Sequence, residues 1–141
     1  MRRNDATRKP KGAAVRRQVP VLLIDDDEVF RSALAENLRN DGYNVLEYGA
    51  ADQVPSLHTL GRVKVVLSDY EMPRVNGLAF ADSFHAVHPR TPVVILTAHP
   101  QTVLAPYMAT RDFLRVLQKP VDYTVLQRLL DALAVTYRRR R

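Results

Sequence analysis

The sequence predicts an α/β fold built on a five-stranded parallel sheet, with helices covering both of its faces. Five short apolar runs alternate with five stretches of helical character along the 141 residues, which is the pattern of a doubly wound sheet. Polar or charged residues follow directly after four of the five runs. Because the carboxyl ends of parallel strands meet at one edge of a sheet, we expect these side chains to share a single crevice.

The first half of the chain predicts two strands and two helices. The first strand is apolar and ends in Asp25-Asp26-Asp27-Glu28, which favours burial in the sheet. The helix that follows ends at Asp41-Gly42, and Pro55 must either begin or kink the second helix. In order, the elements are strand 19–24, helix 30–38, strand 44–48 and helix 50–60.

The second half predicts three strands and three helices. Pro106 interrupts the middle helix, and an apolar stripe runs along the last helix, which Asp122 is placed to cap. The (βα)5 alternation predicts the flavodoxin-like strand order 2-1-3-4-5. In order, the elements are strand 63–68, helix 78–87, strand 92–98, helix 101–110, strand 113–117 and helix 123–137.

The net charge of +6 conceals two basic tails around an acidic core. Residues 1–18 hold seven Lys or Arg and one Asp, and residues 138–141 are all Arg, so the tails carry +10 and residues 19–137 carry −4. We expect a disordered tail over 1–18, one folded domain over 19–137, and a basic C-terminal tail or the start of a linker over 138–141. Such tails also allow weak, non-specific binding of nucleic acid.

The composition excludes several classes of site. The sequence contains no cysteine, and therefore neither a disulfide nor a thiolate metal site. No run approaches the roughly 18 apolar residues of a membrane span. The basic N-terminus is not followed by the apolar segment of a secretory signal. These features favour a cytoplasmic protein.

The chemistry of the predicted crevice centres on Asp69, which ends the third strand. Asp25 and Asp26 follow the first strand, Thr97 ends the fourth and Lys119 follows the fifth. Three carboxylates in one crevice repel one another unless a cation neutralises them, and Mg²⁺ takes few carboxylates while holding phosphate oxygens. Lys119 supplies a point charge for a phosphoryl oxygen and Thr97 a hydrogen bond. The set favours transfer of a phosphoryl group to a carboxylate.

Four motifs along the chain carry a family resemblance. They are Leu22-Leu23-Ile24-Asp25-Asp26-Asp27, Ser68-Asp69-Tyr70-Glu71-Met72-Pro73 with Gly77, Ile95-Leu96-Thr97-Ala98 and Gln118-Lys119-Pro120. Together they resemble the response-regulator receiver domain, the CheY-like family, over residues 19–137. The D-x-x-M-P-x-x-x-G motif is the most specific of the four.

The resemblance implies a role for each residue of the crevice. Asp69 would be the phosphoacceptor, and Mg²⁺ would be held by Asp26, Asp69 and the backbone carbonyl of Glu71. Asp25 would reach the metal through a water. The switch residues would be Thr97, which turns toward the phosphoryl group, and Lys119, which pairs with it and precedes a cis peptide bond to Pro120.

The resemblance also implies partners. A sensor histidine kinase or a histidine phosphotransfer protein would supply the phosphoryl group in a two-component phosphorelay. An effector domain or a second copy of the chain would carry the output. The domain would be no enzyme in the ordinary sense, since its chemistry would be limited to its own phosphorylation and dephosphorylation.

The sequence departs from the family pattern in the part that signals. Receivers commonly have Tyr or Phe three residues before the Lys, where this chain has Val116. They often have an aromatic residue after the Lys-Pro, where this chain has Val121, and a small pair before the fifth strand, where it has Thr110-Arg111. We therefore expect coupling from Thr97 to the fourth helix and fifth strand to work differently here, or weakly.

Two other functions compete with this interpretation. Asp25-Asp26-Asp27 with Val29 also matches the D-x-D-x-[TV] opening of haloacid-dehalogenase-type phosphatases, in which Asp25 would be the nucleophile and Asp27 the acid–base. That family needs a further acidic pair after the Lys, which this sequence lacks. The second competitor is an interaction domain whose phosphorylation no longer matters. Each residue also has a purely structural alternative, as a helix cap, a strand end or a turn.

Overall fold

The five apolar runs form one parallel sheet in the computed structural model, which describes residues 19–139. The strand order is β2-β1-β3-β4-β5, as the sequence predicts. Residues 1–18, predicted to be a disordered tail, and the last two arginines lie outside the described residues. The strands are β1 Val21–Ile24, β2 Val45–Tyr48, β3 Val65–Asp69, β4 Val93–Thr97 and β5 Leu114–Gln118.

Four α-helices connect and follow the strands. The carboxylate of Asp27 caps the first helix by accepting a hydrogen bond from the Phe30 amide, and Gly42 turns the chain at a φ of 98° after that helix. Asp122 caps the last helix through the Thr124 amide, as predicted. The helices are α1 Glu28–Asn40, α2 Gly77–Val87, α3 Gln101–Met108 and α4 Tyr123–Arg139.

The helix predicted over residues 50–60 is wrong. Only a single 3-10 turn, Ala51–Gln53, forms in that segment. Val54 is extended, with φ −70° and ψ 135°, because the residue before a proline is disfavoured in helical geometry. Pro55 also lacks the amide that would continue the turn. Apolar side chains of the segment, among them Val54 and Leu57, are nevertheless partly buried against the hydrophobic core.

The sheet separates two hydrophobic cores, as in a doubly wound fold. Residues of β1 alternate between them: Val21 and Leu23 face one core, and Leu22 and Ile24 face the other. Side chains of α1 and α4 fill the first core, whereas those of α2 and α3 fill the second. Within residues 19–139, no helix is long and apolar enough to cross a lipid bilayer.

Apart from the segment 50–60, the ends of the elements differ from the predicted ones by at most two residues. β3 extends to Asp69 and β5 to Gln118, one residue further than the sequence predicts. α3 ends at Met108 and contains Pro106. The peptide bond between Lys119 and Pro120 is cis. The register pairs Asp69 with Leu96 and Thr97 with Gln118, so the carboxyl ends of β3, β4 and β5 form a single edge.

Candidate functional site

Three carboxylates meet at the carboxyl edge of the sheet. Asp25, Asp26 and Asp69 each contribute an oxygen to a group in which all three oxygens lie within 4.8 Å of one another. β1 and β3 are hydrogen-bonded neighbours, with Ile24 opposite Ser68, and therefore the residues that follow them emerge side by side. Asp25 is fully buried, Asp69 is partly buried and Asp26 is exposed. The three carboxylates thus lie together at the edge of the sheet where the topology predicts them.

Lys119 reaches the same group from the loop after β5. Its Nζ donates a hydrogen bond to Asp25 Oδ2 at 2.8 Å and lies 3.5 Å from Asp69 Oδ1. The other oxygen of Asp25 accepts a hydrogen bond of 2.9 Å from the Asp27 amide. Both oxygens of the buried Asp25 carboxylate are thus satisfied, whereas the ammonium also faces Asp69.

The negative charge of Asp69 is only partly compensated by its surroundings. Burial raises the pKa of Asp69, and the charge of Asp25 raises it further, although Lys119 opposes both effects. Burial alone would lower the pKa of Lys119, but its hydrogen bond to Asp25 and the charges of Asp25 and Asp69 raise that pKa overall. The site is therefore one in which a further cation would be stabilised.

The loop after β3 explains the spacing between Asp69 and Gly77. The Gly77 amide donates a 2.7 Å hydrogen bond to the Tyr70 carbonyl, and a Cβ on Gly77 would clash with the carbonyl oxygen of Asp69. Only glycine allows this approach. Asn76 then caps α2 by accepting from the Ala79 amide. The start of α2 is consequently packed directly against the residue that carries the candidate acceptor.

Thr97 and Glu71 are joined through His99, which the sequence analysis did not single out. Thr97 is buried at the end of β4, and its Oγ1 accepts a 3.1 Å hydrogen bond from the His99 amide. The His99 ring nitrogen Nε2 lies 2.8 Å from Oε2 of Glu71. The carbonyl of Thr97 accepts from the Lys119 amide at 2.7 Å, which ties the ends of β4 and β5 together.

Val116 lies in β5 opposite Ile95 and is 5% exposed, within the second core. Its carbonyl accepts a 2.8 Å hydrogen bond from Nε2 of Gln101, the first residue of α3. The position where receivers commonly carry a ring is thus filled by a small buried side chain, and α3 is linked to β5 through backbone and amide groups.

Two residues of α1 complete the surroundings of the site, and the sequence analysis did not single out either of them. The Phe30 ring lies under the Lys119 ammonium, with 4.4 Å between Nζ and the ring centroid. Arg31 donates a 2.6 Å hydrogen bond from Nη1 to the carbonyl of Asp25. The sequence could have pointed to both residues, because they follow Asp25 closely and the first turn of a helix that follows a strand lies beside the end of that strand.

The phosphatase alternative gains no support from this geometry. Its nucleophile would be Asp25, yet that carboxylate is fully buried and held by Lys119. Its acid–base would be Asp27, whose carboxylate instead caps α1. Of the two carboxylates that the receiver and phosphatase interpretations name as the reacting group, Asp69 is partly exposed at the sheet edge and Asp25 is not.

The sequence matches one family over most of its length. Residues 21–131 match the profile of the response regulator receiver domain. The chain is 35% identical over 116 residues to the transcriptional regulatory protein GlrR of Escherichia coli K12, covering 79% of this chain and 25% of that protein. It is 30% identical over 109 residues to the DNA-binding transcriptional regulator NtrC of Klebsiella pneumoniae, covering 77% and 23%. The chain thus spans about a quarter of the length of these relatives.

Solved structures share the fold. The signal receiver domain of an HD domain-containing protein from Pseudomonas fluorescens Pf-5 superposes with a TM-score of 0.77 at 25% identity, covering 89% of this chain and 92% of that one. A response regulator receiver domain protein from Clostridium thermocellum gives a TM-score of 0.75 at 23% identity, covering 85% and 97%.

Proposed function

The chain belongs to the response regulator receiver family, and we propose that it accepts a phosphoryl group on Asp69. The observation that carries this proposal is the group of Asp25, Asp26 and Asp69 with Lys119 at the carboxyl edge of the sheet. Asp25 is fully buried and already accepts two hydrogen bonds, whereas Asp69 is the partly buried member of the group and its Oδ1 lies 3.5 Å from the Lys119 ammonium. We place the receiver domain in residues 19–137.

In the proposed reaction, an oxygen of the Asp69 carboxylate attacks the phosphorus of a phosphohistidine. The phosphorus–nitrogen bond breaks, the imidazole leaves and an acyl phosphate forms on Asp69. Positive charge beside the transferred group is what such reactions need most. Lys119, whose Nζ is 3.5 Å from Asp69 Oδ1, supplies part of it, and the Thr97 hydroxyl donates a hydrogen bond to a phosphoryl oxygen.

The donor set fits Mg²⁺, because it consists of carboxylate oxygens that a hard cation prefers. Asp26, Asp69 and the backbone carbonyl of Glu71 would hold the ion. Asp25 would act through a water, in keeping with the two hydrogen bonds its oxygens already accept. When bound, the ion would neutralise charge on the carboxylates and on the phosphoryl oxygens.

The partner in this proposal is a sensor histidine kinase or a histidine phosphotransfer protein. The output passes to an effector domain or to a second copy of the chain. The first of these is in keeping with the greater length of the relatives GlrR and NtrC. The chemistry of the domain itself is limited to gaining and losing the phosphoryl group on Asp69.

The proposal is tested by incubating the protein with acetyl phosphate and Mg²⁺ and measuring the intact mass. We expect one added phosphoryl group on the wild type and none on Asp69→Asn. The matched control is Asp27→Asn, which makes the same chemical change beside the site and keeps a side chain able to cap α1. This control is expected to gain the group like the wild type.

Equal modification of Asp69→Asn and the wild type would refute Asp69 as the acceptor. Loss of the added group in both Asp69→Asn and Asp27→Asn would show that the assay responds to general damage at this edge rather than to the acceptor. A group attached to Asp25 would favour the phosphatase alternative instead.

A further inference from the structure

An aromatic ring lies against the ammonium that serves the site. The Lys119 Nζ stands over the Phe30 ring at 4.4 Å from its centroid, well within the range of a cation–π interaction. The same Nζ donates to Asp25 and faces Asp69. The ammonium is therefore held between the carboxylates and the face of the ring.

The ring is itself fixed in place. The Phe30 amide donates to the capping carboxylate of Asp27, which sets the first turn of α1. The Phe30 side chain packs against the first core, as does Val121, which stands two residues after Lys119 where receivers often have an aromatic residue. The one ring in contact with Lys119 among the described residues thus comes from α1.

We propose that Phe30 is a positioning residue that holds the Lys119 ammonium in reach of the phosphoryl group on Asp69. This inference rests on the proposed function. A lysine ends in a compact charge on a flexible four-carbon stem, so that the carboxylates alone leave the ammonium several rotamers. The ring attracts the cation on its open face and favours the rotamer that faces Asp25 and Asp69.

The attraction depends on the aromatic face and not on the volume of the side chain. Leucine at position 30 would still pack against the first core but would not attract the ammonium. Tyrosine and tryptophan would keep the attraction, since both present a ring to the cation. Slower phosphorylation in the leucine variant, restored by another ring, is the signature that separates this role from packing.

The test compares Phe30→Leu, Phe30→Tyr and Phe30→Trp with the wild type. The matched control is Tyr123→Leu, which removes another ring packed against the same core and has no part in the proposed reaction. Two quantities are measured: the initial rate of Asp69 phosphorylation by acetyl phosphate with saturating Mg²⁺, and the proton NMR shift of the Lys119 ε-methylene, which a ring face moves upfield. Thermal melting confirms that each variant is folded.

We expect Phe30→Leu to slow phosphorylation by roughly three- to tenfold and to abolish the upfield shift. Phe30→Tyr or Phe30→Trp retains both, and Tyr123→Leu retains the rate. A wild-type rate in Phe30→Leu would overturn the proposal, and so would equally slow rates in the leucine and aromatic variants. If Phe30→Leu does not fold, the absence of an upfield Lys119 shift in the wild type overturns it.

This outcome is separable from failure of the proposed function. If wild-type Asp69 gains no phosphoryl group, the proposed function is refuted. The Lys119 shift then still decides whether the ring holds the ammonium.

Discussion

Asp25 and Asp69 share one site but differ in how their charges are compensated. Asp25 is fully buried and accepts hydrogen bonds from Lys119 and from the Asp27 amide. Burial and the charge of Asp25 raise the pKa of Asp69, and only part of this is offset by Lys119. Asp25 is therefore suited to a fixed structural charge, whereas Asp69 is suited to reacting and to binding a cation.

The first prediction at this scale concerns the metal. Asp26→Ala removes one of the two carboxylates proposed to bind Mg²⁺ directly, and we expect it nearly to abolish Mg²⁺ binding. Asp25→Ala removes a ligand that acts through a water, for which about tenfold is expected. Isothermal titration calorimetry with Mg²⁺ measures the affinity of both variants. Unchanged affinity in Asp26→Ala would refute the proposed ligands.

A second prediction concerns stability and pH, measured by urea unfolding with a chelator present. The pKa of Asp69 is higher in the folded protein than in the unfolded chain, so ionisation of this group opposes folding. The penalty is complete above the folded pKa and disappears as the pH falls below the unfolded one. We expect Asp69→Asn to be more stable than the wild type at neutral pH, with the difference shrinking in acid.

The control for this prediction is a carboxylate whose replacement is expected to change the stability in the opposite direction. A hydrogen bond from Arg111 lowers the pKa of Asp82, so that its contribution to stability is present above the unfolded pKa and is lost as the pH falls through the folded one. Asp82→Asn should thus reduce stability at neutral pH. Destabilisation by Asp69→Asn at neutral pH would contradict the electrostatic account of the site.

Strands and helices that follow from the pattern of apolar residues could be predicted from the sequence. The segment 50–60, whose conformation is decided by the backbone at a single proline, could not. The apolar runs gave five strands in the right order, because burial on both faces leaves a continuous apolar signal. The segment 50–60 carries apolar residues at a spacing compatible with a helix. Pro55 and the extended Val54 nevertheless decide its conformation.

The same distinction holds for the candidate site. Asp25, Asp26, Asp69 and Lys119 could be predicted to meet, because the topology alone brings the ends of parallel strands to one edge. The contacts of Phe30 and His99 depend on the rotation of α1 and on the shape of the loop after β4. Neither of those is set by periodicity or by spacing.

A third prediction concerns signalling through α3 and β5. Valine at position 116 has one stiff side-chain torsion, so there is no large ring to move when Thr97 turns toward a phosphoryl group. We expect beryllofluoride, a phosphoryl mimic, to shift backbone amide signals around Asp69, Thr97 and Lys119. Smaller shifts are expected over residues 101–117 than in receivers that have the ring.

Amide NMR spectra with and without beryllofluoride measure this residue by residue, and Asp69→Asn serves as the control that should show no response. Shifts over residues 101–117 as large as those around Asp69 would contradict the prediction. They would show that the link from Gln101 to the Val116 carbonyl, or another contact, is sufficient for switching.

At the scale of the whole molecule, the folded domain and the two terminal segments carry charges of opposite sign. Residues 19–137 carry −4, whereas the two tails carry +10. An acidic domain repels nucleic acid, and basic segments attract it without sequence preference. Any binding of polyanions is therefore expected to reside in the tails.

The fourth prediction follows from that partition. Deleting residues 1–18 and 138–141 should abolish binding to duplex DNA and leave phosphorylation of Asp69 unchanged. In the full chain, each phosphate contact adds about 0.9 to the slope of log affinity against log salt. Thermal melting of the shortened chain is the control, since α4 extends to Arg139. A similar salt slope in the shortened chain would contradict the partition.

The central claim, that Asp69 is the acceptor, is tested most directly by chemical mapping of the phosphorylated residue. Borohydride reduces an acyl phosphate on aspartate to homoserine, which peptide mass spectrometry locates in the sequence. After treatment with acetyl phosphate and Mg²⁺, we predict homoserine at position 69 and aspartate at positions 25 and 26. Homoserine at position 25 or 26, with Asp69 unchanged, would contradict the claim.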